Sequence, residues 1–245
     1  MLNAFFWGLI ATSSLVVGGM LGSRLTIGKR MLGIILAFGA GVLICAVAYE
    51  LIFEAVQSVK GSGIPGIACL TGALTFFVGD RLIGKFGGED RKDIDATHKS
   101  NLVIPIVLGI ILDGIPETMV IGLSLHGGGS ISLAMLVAVF ISNLPESIAA
   151  TTGMKAGGWS RTRIQLLWAA VALLCAASAA AGYLLLGNAS EHAVAFVQAF
   201  AGGAILVMLA NTMMPEAFQH GGKLAGIMTV LGFELSVIVV LLEKG

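Results

Sequence analysis

Eight apolar stretches, each long enough to cross a bilayer, constrain this chain more than any other feature. They lie near residues 3–23, 33–56, 63–84, 101–125, 131–154, 164–187, 192–215 and 223–242. A crossing takes about 20 apolar residues in a helix, and in lipid each backbone N–H and C=O must be satisfied within the protein. The expected fold is all-α: a polytopic membrane helix bundle of eight transmembrane helices, in a single domain over residues 1–245. Only 11% of the residues are charged, against about 25% in soluble proteins. Net charge is zero, so bulk charge attracts no nucleic acid, and the surrounding partner is membrane lipid.

The loops test the count. Arg24, Lys29 and Arg30 follow the first stretch; Arg81, Lys85, Arg91, Lys92 and Lys99 surround the third loop. Lys155, Arg161 and Arg163 follow the fifth stretch and Lys223 the seventh. Twelve of the 14 basic residues thus share one side, leaving Lys60 and Lys244 on the other. The positive-inside rule places both termini outside, in what we read as a bacterial cytoplasmic (inner) membrane. No Lys or Arg precedes Arg24, so the first stretch lacks the charged start of a signal peptide and is read as a span. Residues 85–100, with mixed charges, glycines and His98, read as a flexible cytosolic loop.

Acids inside the spans point to function, because ionisable groups at membrane depth are costly. Three stretches carry Pro-Glu with a polar residue four positions before the glutamate. They are Asp113-Gly114-Ile115-Pro116-Glu117-Thr118, Ser142-Asn143-Leu144-Pro145-Glu146-Ser147 and Asn211-Thr212-Met213-Met214-Pro215-Glu216. The spacing puts Asp113 with Glu117, Ser142 with Glu146 and Thr212 with Glu216 on one helix face each. Each proline lacks an N–H and disrupts the bond to the carbonyl four residues back. The carbonyls so freed are those of Leu112, Ile141 and Asn211. The second span carries a related pair, Glu50 and Glu54, with Phe53 where proline stands elsewhere. Such paired placement suggests internal pseudo-symmetry, as in transporters built from repeats.

Kinked helices with internally bonded glutamates would explain one motif. Several on separate spans, with almost no Lys or Arg at that depth, point to a cation site, because a divalent ion neutralises two carboxylates at once. The candidate ligands are Asp113, Glu117, Asn143 and Glu146, with Ser142, Glu50, Glu54, Asn211 and Glu216 as pathway or secondary ligands. This oxygen-rich set suits Mn²⁺ or Fe²⁺ and accepts Zn²⁺ or Cd²⁺. Metal here is cargo, and no cofactor is expected. Cys45, Cys69 and Cys175 stand singly in apolar runs and read as small buried hydrophobes. Glu234, midway along the last stretch, fits a cavity, a pair within the bundle or a dimer contact equally well.

On these residues the chain resembles the ZIP family of divalent metal transporters. That family has His-Asn-x-Pro-Glu-Gly in its fourth span, a polar pair before x-Pro-Glu in its fifth, and His-Glu-x-x-Pro-Glu in its seventh. The resemblance implies a homodimer, transport toward the cytosol, and a two-metal site between spans four and five with Glu117 and Glu146 central. Asp113 stands for the span-four histidine, Gly114 removes a ligand, Asn143 keeps one, and Asn211 with Thr212 replaces the span-seven His-Glu pair. These departures from the family pattern lead us to expect one main site, harder and weaker than the family norm. A proton-coupled carrier of a small organic cation, or a metal sensor that does not transport, fits the same acids. An enzyme is not expected: HExxH is absent, and of the two membrane aspartates that an aspartyl protease needs only Asp113 is available, since Asp80 lies at the end of a span, too near the interface.

Overall fold

The computed structural model describes residues 1–25, 27–83, 103–125, 131–186 and 189–244. These form eight helices: α1 (Leu2–Arg24), α2 (Lys29–Ser58), α3 (Ile64–Ile83), α4 (Val103–Ser124), α5 (Leu133–Ala156), α6 (Arg161–Leu186), α7 (Glu191–Gly221) and α8 (Leu224–Lys244). Each overlays one of the eight apolar stretches. Among the described residues, seven helices are long and apolar enough to cross a membrane; α3, a 20-residue helix, falls outside that set. The chain is an integral membrane protein with multiple spans. The charged loop at 85–100, with His98, lies outside the described residues.

The distribution of side chains is that of a bundle in lipid. Leu70 and Leu74 of α3, Leu173 and Leu185 of α6, and Leu231 and Leu242 of α8 are exposed, while the interior holds many alanines and glycines. With no water to expel between helices, packing rests on close backbone approach, which small residues permit. α4 and α5 occupy the middle. α5 packs on α1, α2 and α4, and α4 on α1, α6 and α7.

Two pairs of outer contacts repeat one device. α2 meets α8 where Gly41 lies on the carbonyl of Thr229 and Gly232 on that of Phe38. α7 meets α3 where Gly203 lies on the carbonyl of Cys69 and Gly72 on that of Phe200. Gly41 precedes Glu54 by the same number of residues as Gly203 precedes Glu216. The two helices also share a local irregularity: α2 widens into a π-helical segment at Val47–Phe53, and α7 does so at Leu209–Met213. In α7 the wide turn sits just before Pro215, whose missing N–H and ring disturb the preceding turn. α2 has no proline there. Pro116 and Pro145 lie inside α4 and α5, and both helices run on through them.

α5 is held at its start by another helix. Ser132 Oγ accepts from Met135 N at 3.1 Å, as an N-cap does. The Glu243 carboxylate of α8 accepts from Leu133 N at 2.5 Å and Ala134 N at 3.3 Å. A negative group there meets unpaired amides and the positive end of the helix dipole.

Three substitutions test these contacts. Gly41→Val would drive a side chain into the carbonyl of Thr229 and should cost about 1–3 kcal/mol, the usual range for overpacking. Gly226→Val, which meets nothing within 4 Å, should leave the thermal unfolding midpoint in detergent nearly unchanged. Glu243→Ala should cost about 0.5–2 kcal/mol, as the loss of a cap does, measured in the same assay.

Candidate functional site

The carboxylates expected at the site are inside the bundle. Asp113 and Glu117 on α4 are each 2% exposed, and Glu146 on α5, Glu50 on α2 and Glu216 on α7 are each 7% exposed. Ser142 and Asn143 on α5 are buried with them. Among the described residues no lysine or arginine is buried, so the enclosed side-chain charge is carboxylate. Glu54 is half-buried near the end of α2. Asn211 is exposed, on the wide turn of α7. It lines an open, mainly apolar groove of about 470 Å³ between α3 and α7, with Cys69, Leu74 and Phe77.

The two Pro-Glu turns of α4 and α5 are built alike. The residue after each glutamate is a fully buried hydroxyl that bonds back along its own helix. Thr118 Oγ1 donates to Gly114 O at 2.7 Å, and Ser147 Oγ donates to Asn143 O at 2.9 Å or Leu144 O at 3.0 Å. Hydroxyls bonded in this way tend to bend a helix. Each thus bonds the carbonyl two residues after the one that proline leaves open, Gly114 after Leu112 and Asn143 after Ile141. Sequence reading passed over both hydroxyls, although their matched positions after Pro-Glu signalled them. Ser142 Oγ likewise donates to Val139 O at 3.1 Å, which leaves its lone pairs to accept or ligate. Asn143 Nδ2 is buried with no hydrogen-bond partner among the described residues. Since amide O and N are interchangeable by a flip, this side chain can turn an oxygen or an NH₂ toward the cavity.

Neighbouring helices close tightly on these turns. Gly18 of α1 lies against Ser147, and Gly39 of α2 has Ser142 Cα at 3.3 Å and Met213 Cε at 3.2 Å from where a Cβ would stand. On α4, a Cβ at Gly114 would come within 2.8 Å of Cys175 Sγ on α6. That contact accounts for glycine at the position where the resemblance anticipates an asparagine ligand. The three cysteines are free thiols, two of them buried, as the sequence suggested.

A further polar pair lies one turn beyond the third Pro-Glu. His220 Nε2 is 3.1 Å from Glu216 Oε1, one helical turn apart on α7, with both side chains mostly buried. The i,i+4 spacing of Glu216 and His220 was visible in the sequence and was not read there. Among the described residues, no three His, Cys, Asp or Glu side chains gather closely enough to hold a metal ion. In this arrangement, then, the acids of α4 and α5 are buried on adjoining helices without forming a cage.

No protein-family model matches the chain. It is similar to an Arabidopsis thaliana protein named as a putative zinc transporter, 27% identical over 192 residues, which cover 77% of this chain. The aligned part spans 30% of that relative's length.

The Gly114 contact yields a coupled prediction. Gly114→Asn alone should lower the thermal unfolding midpoint, because its Cβ meets Cys175. Combined with Cys175→Ala it should recover most of the loss. A double-mutant cycle on the unfolding free energy should give a coupling within about 0.5–3 kcal/mol, as for residues in contact; additive losses would show that the two positions do not press on each other.

Proposed function

We propose that this protein carries divalent metal ions across the membrane, through a carboxylate site between α4 and α5. The observation that carries the reading is the burial of Asp113, Glu117 and Glu146 on two adjoining helices at the centre of a membrane bundle whose described residues bury no lysine or arginine. The likeness to a protein named for zinc transport supports metal as the cargo.

Asp113, Glu117 and Glu146 supply charge. Asn143 and Ser142 supply neutral oxygens, and the carbonyls of Leu112 and Ile141, which receive no N–H from the proline four residues ahead, add two more. Oxygens of this kind suit Mn²⁺ and Fe²⁺ and also hold Zn²⁺ or Cd²⁺. Because no three acidic, histidine or cysteine side chains among the described residues form a cage as they stand, loading requires α4 and α5 to shift so that their acids converge. Glu50, Glu54 and Glu216 mark a path on the flanking helices. Asn211 joins it only in an arrangement that turns the wide segment of α7 inward. The basic loops put both termini outside, which sets the Glu216–His220 pair toward the cytosol and gives an inward-moving ion an imidazole near its exit.

A second reading also draws on the open acidic interior: a small organic cation, moved in exchange for protons, needs negative charge and no metal cage. Uptake into proteoliposomes separates the two. Zn²⁺, Mn²⁺, Fe²⁺ or Cd²⁺ should accumulate with the native protein, and Glu117→Ala and Glu146→Ala should each abolish the flux while the purified variants keep their helical content. Flux of an organic cation that persists in chelator, with no metal uptake, would replace the metal reading.

A further inference from the structure

Of the two histidines among the described residues, His192 is exposed at the start of α7, while the His220 side chain is held inside at its other end. His220 and Glu216 stand one helical turn apart, each side chain more than nine-tenths buried. Nε2 lies 3.1 Å from Glu216 Oε1, yet it has no hydrogen-bond partner among the described residues. The contact is therefore not an aligned hydrogen bond, which needs the N–H to point at its acceptor. The ring nitrogen aims past the carboxylate oxygen. Two ligands of one ion stand in this way: each faces the ion and neither faces the other.

The spacing fits such a role. Metal bonds of about 2.0–2.1 Å to an imidazole nitrogen and about 2.0–2.2 Å to a carboxylate oxygen, meeting between a right angle and a tetrahedral one, set the two atoms about 2.9–3.4 Å apart. Ligands four residues apart on a helix meet one ion in the same manner in HExxH metal sites. α2 closes over the pair, since a Cβ at Gly33 would come within 2.6 Å of Gly221 N and 2.8 Å of His220 Cβ. Thr212, one turn before Glu216, continues the line toward the wide turn. Its Oγ1 donates to Met208 O at 2.6 Å, which leaves its lone pairs able to accept or ligate. α2, whose glycine-to-acid spacing matches that of α7, has Ser58 where α7 has His220. That hydroxyl donates to Ala55 O at 3.1 Å, so the imidazole belongs to one end of the matched pair only.

We propose that Glu216 and His220 form a second metal station, separate from the carboxylates of α4 and α5, that takes borderline ions such as Zn²⁺ and Co²⁺ in preference to Mn²⁺. Carboxylates and carbonyls accept all three, whereas an imidazole favours the first two. No third His, Cys, Asp or Glu joins the pair among the described residues, so water completes the coordination. Closed four-ligand sites retain their metal; a two-ligand one lets it go, as suits an ion in passage. That passage rests on the metal reading above, but the binding itself does not.

Zinc K-edge absorption tests the binding on the purified full-length protein, because an imidazole ligand leaves a ring-scattering signature that carboxylate and water lack. With His98, His126 and His192 replaced by Gln, and Glu117→Ala to disable the central site, equimolar Zn²⁺ should show imidazole. The chain that keeps His192 and has His220→Gln instead should show oxygen alone. In calorimetric titrations, Glu216→Gln and His220→Gln should each weaken Zn²⁺ binding by about tenfold or more, since losing even an outer-shell partner costs that much. The preference for Zn²⁺ over Mn²⁺ should vanish with His220→Gln, while helical content stays native. An oxygen-only shell in the single-histidine protein, Zn²⁺ affinity that survives His220→Gln, or equal affinity for Mn²⁺ would each overturn the proposal. Zinc bound to His220 in a protein that moves no metal into proteoliposomes would uphold the station and remove the transport reading.

Discussion

The constraint from which the rest of this structure follows is the cost of holding carboxylates away from water. Glu50, Asp113, Glu117, Glu146 and Glu216 are all nearly inaccessible, on four different helices. Each would lose several kcal/mol of hydration as an isolated ion in an apolar medium. Proteins reduce that cost by supplying polar partners, protons or counter-ions. Here the backbone contributes through Pro116 and Pro145, and side-chain oxygens of Ser142 and Asn143 lie on the same helix as Glu146. The interior thus sets buried acids among backbone and side-chain oxygens, and the proposed cation site rests on that arrangement.

The packing around this interior has a complementary logic. α4 and α5 carry the acids and sit at the centre, while α2 with α8 and α7 with α3 form close-packed outer pairs joined by reciprocal glycines. Backbone-to-backbone contacts of this type leave little room to slide apart. The Pro-Glu turns instead lie where small residues such as Gly18, Gly39 and Gly114 admit just enough space for a neighbour. The glycine-on-carbonyl device reaches the centre as well: Gly122 of α4 lies on the carbonyl of Ala179, and Gly182 of α6 on that of Met119.

How much of this was legible in the sequence depends on whether the information was local. The eight helices follow from apolar run length, and the burial of Asp113, Glu117 and Glu146 follows from their depth in those runs. Glu216 and His220 were readable by spacing alone. The contact between Gly114 and Cys175 was not, because it depends on how α4 and α6 pack. The wide turn in α2 was equally hidden: no proline announces it. A 3.6-residue period carried through Val47–Phe53 treats Glu50 and Glu54 as equivalent, whereas one is buried and the other half-exposed. Asn211 is the same case in α7, lying on a wide turn that faces the groove along α3. Glu234 could not be oriented from sequence because the period of α8 is apolar on nearly every side, and only packing against α2 tells its faces apart.

The grip of Glu243 on the first turn of α5 bears on how the centre can move. Two amide hydrogens and the positive pole of the helix are held by one carboxylate projecting from α8. Drawing α5 along its axis breaks both bonds at once. Tilting it about that end keeps them. The far half of α5 is anchored too, by Trp168 Nε1 of α6, which donates to the fully buried Thr151 Oγ1 at 2.8 Å. With both ends held, the part of α5 left to flex is the turn at Pro145 between them, and a bend there moves Ser142 and Glu146 while both anchors stay in place.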